Sequence, residues 1–283
     1  MSTFVRPEDR LLRKPIPGDS PGGLVQSINA AEAGWRYVGF TVRVLEVGEG
    51  LQRAADDHEV TVVALEGSLD VRAGSQSFES LGTRADVFDG PPAELALVAP
   101  GEPIEVVART AATVVVADAP GGDVRVTRGL RAVDILVEHR GDGVTARRIH
   151  HLLPPAAQAG RLILFEVYTP GGTWSSYPPH KHDTQDPPTE SALEELYYYR
   201  FARPSGWAFQ RIYTPDRDLD AALAPTDGDV VLVPRGYHTV GMPAGYDGYY
   251  LNVMAGPTRE WHFTLDPDHA WLMDWDPSAP REG

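Results

Sequence analysis

The chain contains no cysteine among its 283 residues. Disulfides, thiolate ligands and a thiol nucleophile are therefore excluded, so a metal could be held only by histidine and carboxylate side chains. Basic residues are also scarce: 25 against 40 acidic, a formal net charge of −15. That balance argues against a nucleic-acid partner, because a phosphate-binding surface needs a basic field. No run of about 18 apolar residues is present, so no membrane-spanning helix is expected. Residues 1–21 are charged and proline-rich and lack the apolar core of a signal peptide. The expected location is the cytoplasm, with no membrane partner.

Long helical patterns are missing as well. With 28 glycines and 25 prolines the chain favours many turns. Residues 1–34 are expected to form an ordered arm with few regular elements. Short segments rich in β-branched residues follow at 37–45, 59–65, 68–72, 94–99 and 106–118, separated by Gly, Pro and Asp. This is the pattern of a sandwich or barrel. After a turn cluster at 119–122, segments 162–168, 207–213, 229–233 and 249–253 repeat it. The reading is all-β with few short helices, as two tandem units covering 1–122 and 123–283.

Against this background the stretch from Tyr177 to His238 concentrates polar chemistry. His180 and His182 are separated by one residue, and side chains two apart on an extended segment share a face. A pair of carboxylates, Glu194 and Glu195, opens the following strand, and His238 lies behind the turn Pro234-Arg-Gly236. His180, His182, His238 and one glutamate form a three-nitrogen, one-oxygen set that suits one divalent zinc, manganese or iron ion and leaves positions open for substrate. Surface histidines on a proline-rich loop are the bland alternative. Neighbouring strand residues face opposite ways, so only one glutamate can join. Glu195 is chosen because that register places the phenols of Tyr197 and Tyr199 beside it, with Glu194 as fallback. By the same alternation Lys181 points away. His58 and Glu59 open a comparable strand in the first unit without a second histidine, so no metal is expected there. The segment 183–193, with its paired prolines, is expected to be a loop over the barrel mouth.

His180-Lys-His182, the Glu195 strand and Gly228-Asp-Val-Val-Leu-Val-Pro-Arg-Gly-Tyr-His238 resemble the two signature motifs of the cupin superfamily. Two departures stand out: twelve residues lie between His182 and Glu195, a longer gap than usual, and a single residue separates Gly236 from His238. With Trp174-Ser-Ser-Tyr-Pro-Pro, Glu194-Glu-Leu-Tyr-Tyr-Tyr-Arg-Phe201 and Leu251-Asn-Val-Met-Ala-Gly-Pro257, the pattern is similar to the 5-deoxy-glucuronate isomerase family of myo-inositol catabolism. The resemblance spans nearly the whole chain and is densest over 147–265. It implies two cupin-type β-barrels in one chain (a bicupin) and a metal-dependent aldose–ketose isomerisation of 5-deoxy-glucuronate to 5-dehydro-2-deoxy-gluconate. The partner is then a small-molecule sugar acid, and a homo-oligomer stays open. Tyr197, Tyr199 or a metal-bound hydroxide are the candidates for the catalytic base, and Arg147, Arg211 and Arg259 for binding the uronate carboxylate. A 4-deoxy-5-ketouronate isomerase, a cupin oxygenase or epimerase, and a non-catalytic sugar-binding bicupin are the other readings.

Overall fold

The computed structural model describes residues 10–18 and 20–276; the first nine residues of the expected arm and the last seven of the chain lie outside it. Strands dominate the described residues, and helical structure is confined to short turns such as Pro21–Gly23 and Ala270–Met273. All ladders are antiparallel. The β-branched stretches expected to be strands are strands: His58–Glu66 pairs with Ala112–Pro120, where branched side chains pack on a pleated surface.

Four sheets form two stacked barrels. In the first unit a six-stranded sheet runs in the order Arg128–Leu130, Glu94–Val98, His58–Glu66, Ala112–Pro120, Gly39–Leu45, Leu24–Ile28. It closes over a four-stranded sheet through a core containing Leu45, Val62, Leu69 and Val106. In the second, a seven-stranded sheet runs Leu12–Arg13, Val230–Val233, Glu194–Phe201, Gly248–Ala255, Ile163–Thr169, Arg147–Leu153, Leu136–Arg140. It faces a five-stranded sheet of Asp220–Leu223, Phe209–Tyr213, Tyr237–Gly241, Trp174–Lys181 and Thr264–Leu265.

A third core joins the units. Phe40, Val63, Leu95 and Leu97 of the six-stranded sheet share it with Leu164, Leu196, Tyr198 and Leu251 of the seven-stranded one. The two large sheets therefore stand back to back, and every residue of Ile163–Thr169 and Gly248–Ala255 is buried. Strands covered on both faces read as continuous apolar runs, which is why these segments show little polar alternation.

The strand pairing crosses the expected division at 122 twice. Leu12–Arg13 precedes the first unit but pairs with Val230 and Val231 of the second, while Arg128–Leu130 pairs back onto Leu95–Leu97 of the first. We propose two barrels with exchanged arms as the domain organisation. Two carboxylates reinforce the exchange. Glu59 accepts the backbone N–H groups of Gly160, Arg161 and Leu162. Glu194 accepts those of Arg36, Tyr37 and Val38 at 2.6, 2.8 and 3.0 Å.

A buried polar hub spans the same interface. Glu166 is ion-paired to Arg84 and accepts hydrogen bonds from Ala93 N (3.1 Å) and Tyr249 Oη (2.9 Å), with His150 Nδ1 at 2.9 Å. Burial opposes its charge, but Arg84 and His150 outweigh that and hold its pKa at about 2. The depressed value makes Glu166 a source of stability that is complete above the unfolded carboxyl range near pH 4.3 and is lost as pH falls through about 2. Glu166→Gln should therefore cost on the order of 3 kcal/mol at pH 7 by leaving Arg84 buried and unpaired. Denaturant unfolding of both proteins should show that difference constant above pH 5 and shrinking below pH 4. A pH-independent difference would contradict it.

Candidate active site

The site is built across the second barrel, histidines from one sheet and a carboxylate from the other. His180 is the penultimate residue of the strand Trp174–Lys181, and His182 follows directly after that strand. His238 lies on Tyr237–Gly241, directly opposite His180 in the ladder. The turn that leads into His238 needs glycine at 236: its φ is +91°, and a Cβ there would stand 2.5 Å from the Tyr213 carbonyl oxygen. Glu195 enters from the seven-stranded sheet.

Each imidazole is oriented by backbone. Nδ1 of His180, His182 and His238 faces the carbonyl oxygens of Pro178, Leu193 and Gly236 at 3.1, 3.3 and 3.2 Å. A ring donating through Nδ1–H keeps its lone pair on Nε2. One ring nitrogen from each histidine lies within 4.8 Å of the other two. Glu195 Oε2 is 3.0 Å from His182 Nε2 and 2.9 Å from His238 Nε2, yet His238 Nε2 has no hydrogen-bond partner although it is buried. Burial pushes the His180 pKa down to about 3, with His238 and His182 adding to the effect. Burial also opposes charge on His182, but the Glu195 carboxylate outweighs it and raises the pKa. Burial works against the Glu195 charge too, and His238 and His182 nevertheless hold its pKa well below the ordinary range. Three converging ring nitrogens beside an ionised carboxylate make a donor set that fits a divalent cation.

Alternation along Glu194–Phe201 runs as the sequence predicted. Glu195, Tyr197 and Tyr199 turn into the barrel, with both tyrosines in its core, while Leu196 and Tyr198 face the first unit. Glu194 instead receives the first unit's backbone N–H groups of Arg36, Tyr37 and Val38. The carboxylate of Glu195 is held by Asn252, whose amide donates to Oε1. Asn252 was missed by sequence reasoning, although a lone amide in the otherwise apolar and aromatic strand Gly248–Ala255 was a usable signal.

Beside this cluster lies a cavity of about 310 Å³. Its wall includes His180, Glu195 and Asn252 at the cluster, Phe165 and Val167 on the next strand, and Arg147, Ile149 and His151 beyond. The last three occupy alternate positions on Arg147–Leu153 and so share its inward face. His151 Nε2 meets Glu138 Oε2 at 2.8 Å, and Arg140 grips both oxygens of Glu138 at 2.8 Å. That grip, chiefly through the Arg140 hydrogen bond, holds Glu138 at about 2.

Several expected site residues stand elsewhere. Of the three arginines only Arg147 borders the cavity. Arg211 is engaged by both oxygens of Asp220 at 3.0 and 2.9 Å on the five-stranded sheet. Arg259 donates to the carbonyl oxygens of Leu153, Pro154, Pro155, Ala157 and Leu162, and is a structural clamp. Tyr197 and Tyr199 lie behind the wall, bonded to Ser176 (2.9 Å) and Gln210 (2.8 Å), and Tyr250 lines the cavity instead. The loop 183–193 contributes no wall residue. Lys181 reaches both oxygens of Glu190 at 2.8 Å and Asp183 at 2.8 Å, and this partly buried contact fastens the loop to the barrel. The cover comes from Trp261, Phe263, Leu265 and Met273. In the first unit Asp56, Asp57 and His58 cluster at the surface, where Arg53 pairs with Asp56 and Asp118.

The two stacked antiparallel barrels are cupin-type, and comparison with known proteins agrees. At 11% identity, an oxalate decarboxylase from Lactobacillus farciminis superposes with a TM-score of 0.64 over 94% of this chain and 90% of its own, a likeness of fold alone. The KduI/IolB family pattern matches residues 11–272, and the chain belongs to that family. An IolB-like protein from Salmonella typhimurium is 42% identical and superposes with a TM-score of 0.89, covering 93% of this chain and 99% of that one. The 5-deoxy-glucuronate isomerase of Geobacillus kaustophilus is 44% identical over 92% of this chain and 95% of its own. That of Listeria innocua is 44% identical over 94% and 99%. The chain is an isomerase.

The role found for Glu194 is directly testable. Glu194→Gln leaves one carbonyl oxygen where a carboxylate accepted three N–H groups, and turns an amide NH2 toward donors. A loss of about 1–3 kcal/mol is expected in denaturant unfolding, with the Glu195 cluster intact. An unchanged unfolding midpoint would contradict the clamp.

Proposed function

We propose that the chain is a metal-dependent aldose–ketose isomerase that converts 5-deoxy-glucuronate to 5-dehydro-2-deoxy-gluconate in myo-inositol catabolism in the cytoplasm. The observation that carries this reading is the convergence of three backbone-oriented imidazoles on Glu195 at one end of a cavity with Arg147 on its wall. The relatives named for this activity support it over nearly their full length.

His180, His182, His238 and Glu195 would hold one divalent zinc, manganese or iron ion. Bound there, such an ion supplies Lewis acidity to the sugar's carbonyl and the adjoining hydroxyl oxygen. Asn252 fixes the carboxylate, and the three carbonyl contacts fix the imidazoles, so the ligand set is organised before substrate arrives. Arg147 donates through Nη1 to the Thr145 carbonyl at 2.8 Å and has no ion pair among the described residues. Burial, its main influence, lowers its pKa. A guanidinium so placed is stabilised by an anion, and the uronate carboxylate is that anion.

Isomerisation moves a proton from C2 to C1 through an enediol. Burial first, then the Glu195 charge, raises the Tyr197 pKa well above the phenol range; burial does the same to Tyr199. Both remain protonated and serve as support: Tyr197 holds Ser176, which lines the cavity. Outside the proposed ligand set, His151 is a wall group placed to take that proton: its Nε2 bonds Glu138, which leaves Nδ1 free.

Glu195→Gln should retain the fold, lower divalent-metal affinity by at least about tenfold and reduce isomerisation of 5-deoxy-glucuronate in proportion. Arg147→Gln should raise KM with metal content unchanged. Full isomerase activity in Glu195→Gln after exhaustive chelation would sink the proposed metal role.

A further inference from the structure

A sugar acid carries a hydroxyl on nearly every carbon, yet the middle of this cavity is apolar. Ile149 and Val167 are direct partners across the ladder between Arg147–Leu153 and Ile163–Thr169. Phe165 lies two residues from Val167 on the same inward face and opposite Asn252. All three line the cavity between the Glu195 end and the Arg147 end. Nearby polar groups are mostly engaged: Ser176 with Tyr197 at 2.9 Å and Arg140 with Glu138 at 2.8 Å, while His151, one pleat beyond Ile149, bonds Glu138 through Nε2 and keeps only Nδ1. A hydroxyl laid against Ile149 and Val167 would lose water without gaining a partner, and a methylene there would lose nothing.

We propose that Ile149 and Val167, extended by Phe165, form a belt that selects the deoxygenated carbon of the substrate and rejects the parent hydroxylated uronate. The inference rests on the isomerase reading above and deepens it. In 5-deoxy-glucuronate the missing hydroxyl belongs to C5, the carbon next to the carboxylate. Arg147 stands one strand pleat, about 7 Å, from Ile149 on the same face. A carboxylate drawn to Arg147 therefore lays its neighbouring carbon toward Ile149 and Val167. The discrimination available from one unpartnered hydroxyl against an apolar wall is on the order of 10- to 100-fold.

The test compares kcat/KM for 5-deoxy-glucuronate and for glucuronate in the wild type, Val167→Thr, Ile149→Thr and Val167→Ala. Glucuronate closes to a pyranose through O5, which the deoxy sugar cannot do. That closure belongs to the sugar and is common to every enzyme compared, so the change in preference between proteins isolates the wall. Each threonine variant should narrow the preference for the deoxy sugar by about tenfold, with metal content and melting temperature near wild type. Val167→Ala enlarges the space without supplying a partner and should leave the preference unchanged. Unaltered preference in both threonine variants overturns the belt, and so does an alanine variant that gains on glucuronate as much as the threonine one. A wild type that leaves 5-deoxy-glucuronate untouched removes the proposed reaction on which the belt rests, and that result is read before any variant is made.

Discussion

The back-to-back packing of the two large sheets is the constraint on which the rest of the molecule depends. It covers the central strands of both barrels on two faces, so each such strand must satisfy two environments with alternate residues. On Glu194–Phe201 the odd positions build the second barrel's interior and the even ones build the interface, with Glu194 receiving three N–H groups from the first unit. A slip of one residue would exchange these roles at every position. The same division holds on Arg147–Leu153, where Arg147, Ile149 and His151 face the cavity while His150 joins the buried Glu166 hub.

The first unit is thus more than an appendage. Its Arg84 and Ala93 reach the carboxylate of Glu166 in the strand next to Gly248–Ala255, and Asn252 on that latter strand grips Glu195. Rigidity at the candidate centre is inherited from packing some distance behind it. Precision at the histidines comes from a different source, three backbone carbonyls that hold Nδ1 and leave Nε2 converging.

Much of this was legible in the sequence because period-two alternation and residue spacing are local properties. They placed Glu195, Tyr197 and Tyr199 on the inward face, separated Glu194 from them, and grouped His180, His182 and His238. What alternation cannot supply is depth. Tyr197 and Tyr199 point inward but stop behind the wall, because Tyr250 of the adjoining strand is packed at 4.9 and 5.7 Å from their rings and fills the nearer position. Partners from distant chain segments were equally invisible. Asp220 claims Arg211, and five carbonyls gather around Arg259. The exchanged arms were hidden for the same reason, since a two-residue ladder such as Leu12–Arg13 has no periodicity to read. The cavity cover escaped because 183–193 looks like a lid in composition, while Lys181, expected to point away from the histidines, ties it to Glu190.

The central claim is that one cation site exists, in the second barrel, made by His180, His182, His238 and Glu195. Anomalous diffraction from crystals loaded with a single divalent metal, recorded at that metal's absorption edge, tests this most directly. One strong peak per chain is expected, about 2.0–2.2 Å from the histidine nitrogens and a Glu195 oxygen. A peak of comparable strength at Asp56, Asp57 and His58, or none among the three histidines, would contradict it.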